Sequence, residues 1–338
     1  MKAFFKLIFF IALCLGLSSL FLIWWTSENM VPIDLGKEKI NFKVSKGDYI
    51  TIIGKNLEKK GLIKSYLVFK YYVKFKKLGK TIKAGDYIFE GIVTVESIVQ
   101  KLQKGIAISY KITIPEGLKL KETAEIIKNS KLIDAENSLK IILSLKPEDF
   151  GINCGTMEGI LCPETYFYTE NMNVKDFVTR MTDNFKKIIP ENYEIILEKK
   201  GLKNLDELII LASIIEKEAK LDTERPLVAS VFLNRLKKNI KFESCATVMF
   251  ALGKWQERIL NKDLQVASPY NTYIHKGLPP TAICSPGKSS IESIFTSPES
   301  NFYYFVTKGD NTGTHYFSET YNRHLNAVKK FKKNRKNN

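Results

Sequence analysis

The chain opens on its longest apolar run. Leu7–Trp25 carries no charge and is almost wholly apolar. Its 19 residues, rising about 1.5 Å each, would span roughly 29 Å, the thickness of a bilayer's hydrocarbon core. Lys2 and Lys6 precede the run and no Lys or Arg follows until Lys37. That asymmetry predicts a cytoplasmic N-terminus. Trp24 and Trp25 suit the outer interface, and the bulky residues from Phe21 to Trp25 offer no small-x-small cleavage site. The pattern predicts an uncleaved transmembrane helix over residues 1–25, then a polar tether over 26–39.

Short alternating stretches follow. Lys43–Ile63 reads as a strand, a Gly turn and an amphipathic helix, and Ile112–Ile133 repeats that plan around its own Pro-Glu-Gly turn. Between them, Ala84–Ile108 gives a strand, a helix opened by Thr94 and a Lys-rich helix end. A Gly turn followed by Thr or Ser at the helix start is ordinary capping chemistry. These units define a βα region over 40–135. A connecting region, 136–205, holds an aromatic loop at Gly155–Tyr168 and amphipathic helices at Val174–Lys187 and Tyr193–Lys200.

The last region, 206–338, is organised around Leu208–Ile215. This run is apolar except for Ser213 and turns charged at Glu216, Lys217 and Glu218. It reads as a buried helix. Successive helical residues turn by about 100°, so Glu216 and Glu218 point to nearly opposite sides. Glu218 is in line with Leu211, Ile214 and Ile215, and Glu216 with Ile209, Ala212, Ser213 and Lys220. A carboxyl ending an apolar stripe would be desolvated and held protonated, as a general acid must be. The plainer reading keeps both glutamates as solvated charges in a last helical turn.

Asp222–Pro226 breaks and restarts the helix, with Asp222 or Thr223 able to cap and Pro226 in the first turn. Arg235, late in that next helix, has two readings: a bidentate grip on a substrate carboxylate, or a salt bridge to Glu216 or Glu224. Ser268–Gly287 is rich in Pro and Gly, and its Tyr270, Asn271 and Tyr273 suit donors to acetamido and hydroxyl groups. Tyr303–Thr307 and His315–Phe317 predict a strand pair, and Asn322–Lys333 a basic helix.

Composition adds limits. The chain has 338 residues, is 44% hydrophobic and carries a net charge of +16. The charge suits acidic partners, but its lysines are scattered. No helix-turn-helix, RNP-type or Walker pattern supports nucleic-acid or nucleotide binding. No cofactor is called for. His275, His315 and His324 lack metal-site spacing. Of five cysteines, Cys14 falls in the apolar run. Cys154 and Cys162 are close enough in sequence to pair, with free buried thiols the competing reading. Cys245 invites a nucleophile reading with a histidine base, yet nothing nearby would lower its pKa, and a buried structural thiol is expected.

Several stretches carry a resemblance. EKEA (Glu216–Ala219), ERPLVASVFLNRL (Glu224–Leu236), Ser268–Gly287 and Phe302–Leu325 closely resemble the YceG-like family, the endolytic murein transglycosylases. The resemblance implies a membrane-anchored lyase that cuts peptidoglycan glycan strands, with Glu218 as its catalytic carboxyl. It implies an α+β fold with a LysM-like portion over the βα units and a C-terminal mixed α+β catalytic domain. Phe242–Gly253 also resembles a family segment, with Glu243 in place of Gln and Cys245-Ala246 in place of Asp-Pro. Glu216, Arg235, Glu243, Ser244, Tyr270, Asn271 and Tyr273 are the expected substrate contacts. The expected partners are peptidoglycan strands, the membrane through the N-terminal helix and, by family analogy, cell-wall synthases. A non-catalytic wall-binding scaffold is the alternative.

Overall fold

The computed structural model describes residues 13, 16–21, 24–45, 47–105, 110–170, 172–254, 256 and 259–337. Most of the apolar run at Leu7–Trp25 lies outside the described residues. Among the described residues, no helix is long and apolar enough to cross a membrane. The chain forms two compact units, Met1–Tyr110 with Thr169–Asn171, and Lys111–Tyr168 with Met172–Asn338.

In the first unit, strand β1 (Ile33–Asp34) is followed by β2 (Ile40–Val44), helix α1 (Ile50–Lys59), α2 (Tyr66–Phe75), β3 (Gly85–Phe89), β4 (Ile92–Val93) and α3 (Val95–Lys104). β2 and β3 pair antiparallel from Ile40↔Phe89 to Val44↔Gly85. Period-2 alternation sends Phe42, Val44, Tyr87 and Phe89 inward, against Ile53, Leu57, Phe69, Ile98 and Leu102. Thr94 starts α3 as the sequence requires. Its hydroxyl accepts from the Ser97 N–H at 3.0 Å while Ser97 Oγ accepts from the Thr94 N–H at 2.9 Å.

The second unit begins in β5 (Tyr110–Ile114) and continues through α4 (Leu120–Lys128), α5 (Ser138–Ser144), β6 (Glu164–Tyr168), α6 (Val174–Ile188) and α7 (Tyr193–Lys200). The division therefore falls between the two βα units that share a plan. β5 pairs with β6, so the aromatic loop expected at Gly155–Tyr168 ends as a strand. Tyr166 and Tyr168 meet the ring of Phe177 edge-on, at 5.2 and 6.0 Å between centroids.

Next come α8 (Leu205–Glu218), α9 (Arg225–Lys237), α10 (Cys245–Ala251), α11 (Lys288–Phe295), the hairpin of β7 (Tyr304–Thr307) and β8 (His315–Ser318), and α12 (Tyr321–Asn337). α8 is central because it is apolar all round, and Leu208 to Ile215 are all buried. It packs on α9, α10 and α11, while α12 lies on the hairpin. Ser213, the one polar residue of the run, is satisfied. Its hydroxyl donates to the Ile210 carbonyl at 2.7 Å and accepts from the Ile283 N–H at 3.0 Å. Gly159 closes the same core with φ +94°, at a place where a Cβ would stand 2.4 Å from Ile209.

Candidate active site

The buried helix α8 delivers its last residue, Glu218, to the wall of a cleft of about 1210 Å³. The cleft is also lined by Arg235, Glu243, Ser244, Cys245 and Tyr273, by the β7–β8 hairpin from Phe305 to His315, and by α12. Asn204 caps the start of α8, accepting from the Glu207 N–H at 3.0 Å. Packing on three neighbouring helices fixes the other end, so the Glu218 carboxyl is held by a rigid element.

Glu218 Oε1 accepts from Ser244 Oγ at 2.5 Å. The Ala246 N–H also bonds this carboxyl, and a charge on His315 would act on it. These three interactions favour the ionised form. Burial outweighs them and pushes the Glu218 pKa up. Ser244 is itself pinned. Its N–H donates to Thr272 Oγ1 at 3.1 Å, and its carbonyl accepts from Thr247 Oγ1 at 2.8 Å. A carboxyl whose pKa is pushed up by burial, that opens on a cleft and is oriented by a fixed hydroxyl has the attributes of a general acid.

Glu216 goes elsewhere. Its Oε2 accepts from the Gly287 N–H at 2.9 Å, Ser290 Oγ at 2.7 Å and Arg225 at 3.1 Å. The Glu216 and Arg225 side chains are only 8% and 6% exposed. Arg225 also donates to Asp222 at 2.8 Å and to Ser290. Glu116 stands beside this group, where burial and the Glu216 charge raise its pKa. The two glutamates of the triplet therefore have different surroundings, as the 100° rule requires, although the Glu216 side is no more solvated.

The other expected contacts divide. Arg235 lines the cleft, yet its guanidinium is occupied by the carbonyls of Tyr303, Lys241 and Phe242 at 2.6, 2.8 and 3.0 Å, and by Glu243 at 3.2 Å. Its ion-pair partner is thus Glu243, while Glu216 takes Arg225 and Glu224 takes His315. Tyr273 reaches the cleft and its hydroxyl lies 3.2 Å from Cys245 Sγ. Asn271 is fully buried. It donates to the carbonyls of Leu264 and Val266 at 3.0 and 2.9 Å and so shapes the loop that carries Tyr273. Tyr270 packs on Phe250 and bonds Thr281 Oγ1 at 2.8 Å. Neither Tyr270 nor Asn271 lines the cleft.

Cys245 requires a correction. The expectation was a buried structural thiol, and the residue is exposed at the cleft. It opens α10 one residue after Ser244, and a first-turn residue facing a cleft stays uncovered. Its thiol is pushed up by desolvation at the cleft wall, so it is no activated nucleophile. Cys154, Cys162 and Cys284 are free and buried, so Cys154 and Cys162 do not pair.

Known proteins match this chain over most of its length. The YceG-like family matches residues 42–330. An endolytic murein transglycosylase of Bacillus subtilis strain 168 is 33% identical over 312 residues, covering 87% of this chain and 85% of its own. The chain belongs to the YceG-like family. A pneumococcal endolytic murein transglycosylase (Streptococcus pneumoniae serotype 2, strain D39) is 29% identical across 82% of this chain and 56% of its own length. The crystal structure of a yceG-like protein from Listeria monocytogenes superposes with a TM-score of 0.54 at 32% identity, covering 86% of this chain and 99% of that one. Within this YceG-like chain, one cleft group lay beyond sequence reasoning. His315, on the cleft wall, pairs at 2.8 Å with Glu224, 91 positions earlier. No local spacing signals such a pair, and only the docking of a hairpin on a helix start creates it.

Proposed function

We propose that this chain is a peptidoglycan lytic transglycosylase that cuts the bond between N-acetylmuramic acid and N-acetylglucosamine within glycan strands. Glu218 is its general acid. The observation that carries the reading is the desolvated Glu218 carboxyl, held by Ser244 at the cleft wall, while Glu216 is tied to Arg225 outside the cleft. Hydrolases normally flank the scissile bond with two carboxyls. Glu243, which also lines the cleft, is paired with Arg235.

The reaction follows from one acid. Glu218 protonates the glycosidic oxygen as its bond to C1 breaks. The C6 hydroxyl of the same muramic acid attacks C1, its proton ends on the Glu218 carboxylate, and a 1,6-anhydro end results. The name of the Bacillus subtilis relative, endolytic murein transglycosylase, supports cleavage within strands. In this reading Leu7–Trp25 anchors the chain, and 40–135 is a LysM-like region in which strands could dock. Residues 136–205 connect it to a catalytic domain over 206–338. The active site then works on the outer side of the membrane, beside the synthases that extrude new strands.

Mass spectrometry of glycan strands digested by the full chain tests this. Wild type yields anhydro-ended fragments, and Glu218→Gln, still folded, yields none. Wild-type rates in Glu218→Gln would reject the assignment. Binding without new ends in the wild type would instead support a scaffold.

A further inference from the structure

Resting on the membrane anchor of the reading above, we infer that the outer face of α2 docks on the anionic lipid surface in which the chain is anchored. α2 turns Val68, Phe69 and Val73 into the core of the first unit. Its opposite side is not the usual polar one. Tyr71 and Phe75, one turn apart, are 60% and 84% exposed. Lysines surround them. Lys74, Lys76, Lys77 and Lys80 are exposed, and none of the four pairs with an acid among the described residues. From Lys59 to Gly85 the chain carries nine lysines and no Asp or Glu. Glu58, just before this stretch, is occupied at the other end of α2, where it accepts the Tyr66 N–H at 3.2 Å. Exposed rings set among lysines suit the interface of a bilayer. The rings settle at headgroup level and the ammonium groups meet phosphates.

A second observation places this face beside the bilayer. Residues 24–29 are helical and carry on from the apolar run that ends at Trp25. Glu28, three residues past Trp25, pairs with Lys64 at 3.7 Å, and Lys64 Nζ donates to the Glu28 carbonyl at 3.4 Å. Lys64 lies two residues before α2. The root of α2 therefore stands next to the point where the chain leaves the membrane. α2 has 10 residues and is about 15 Å long, which keeps Tyr71 and Phe75 within reach of the headgroups. Anchor and face give the first unit two attachments, and two attachments fix its orientation on the bilayer. Sugar rings also stack on exposed aromatics, but the position beside the membrane exit favours lipid.

The test uses the full chain in nanodiscs of phosphatidylcholine alone, or of phosphatidylcholine and phosphatidylglycerol in equal parts. Lysines are acetylated briefly and the adducts mapped by mass spectrometry. In the anionic discs Lys74, Lys76, Lys77 and Lys80 should react about fivefold more slowly or less, the factor expected for one lysine at an anionic surface. Replacing both exposed rings (Tyr71→Ser with Phe75→Ser) should abolish that protection, and so should salt at roughly 0.5 M, which screens surface charge within a few Å. Equal rates in the two discs overturn the inference, as does protection that survives the double substitution. Protection that appears only when purified glycan strands are added overturns it in favour of a strand-binding face. A chain that the discs do not retain would strike the anchor reading alone. The full chain is then added to vesicles of the same two compositions, where the same contrast supports the face and its absence overturns it.

Discussion

Replacing Glu216 by Ala separates a structural carboxyl from a catalytic one. The Glu216 and Arg225 side chains are 8% and 6% exposed, and Glu216 Oε2 gathers donors from Gly287, Ser290 and Arg225. Deleting it leaves a buried guanidinium whose remaining ion pair is with the 70% exposed Asp222. It also leaves the Gly287 N–H, at the cap of α11, without its acceptor. Breaking a buried pair from one side costs roughly 3–5 kcal/mol. With a urea slope of roughly 2–3 kcal/mol per molar, the midpoint should fall by about 1–2 M. Near-ultraviolet circular dichroism in urea measures this, and glycan cleavage is assayed in parallel below the transition. Glu216→Ala should be much less stable yet cleave while folded. Glu218→Gln should keep or raise the midpoint, because a desolvated carboxyl becomes a neutral amide, and should lose cleavage. Replacing Glu216 and Arg225 together by Met should recover much of the lost stability, since no charge is left stranded. A Glu216→Ala midpoint within about 0.5 kcal/mol of wild type, or a stable Glu216→Ala without activity, would refute the reasoning.

Three further outcomes follow from the second unit. Burial raises the Glu158 pKa from 4.5 to about 7 although the Leu120 N–H donates to its carboxyl. The folded state then binds the extra proton between those values, so stability should fall as pH rises through that window. Glu158→Gln should flatten that slope in urea titrations at several pH values, and an unchanged slope would contradict the assignment. Of the described cysteines, only Cys245 should react with a maleimide in the native protein, and slowly, because its thiol is pushed up. Cys154 and Cys162, both near pKa 11, should label only on unfolding, and mass mapping of the adducts checks this. Gly159→Ala should cost about 2–5 kcal/mol, combining a left-handed φ with overpacking against Ile209 and Ala282. A thermal midpoint matching wild type would show that the core yields there.

Much of the fold could be read along the chain. The apolar run at Leu208–Ile215 announced a buried helix, and helical rotation alone parted Glu216 from Glu218. Thr94 marked a helix start, and the turn after Thr307 marked a hairpin. These signals are local, set by spacing within one element, so one sequence suffices to state them. Other features needed the fold. Asn271 looked like a sugar contact and is consumed by the carbonyls of Leu264 and Val266. Arg235 looked available to Glu216 or Glu224, and the packing of α9 on β7 gives it Tyr303 and Glu243 instead. Cys245 looked buried and faces the cleft.

By itself the sequence determined the periodicities, the caps and the residue types offered to the site. The tertiary structure decided which polar groups meet across 26, 71 and 91 positions, as in Ser244 with Glu218, Gly287 with Glu216 and His315 with Glu224. The physical reason is that a hydrogen bond is set by donor and acceptor within about 3 Å. Only the packing of α8, α9, α11 and the hairpin brings those atoms so close.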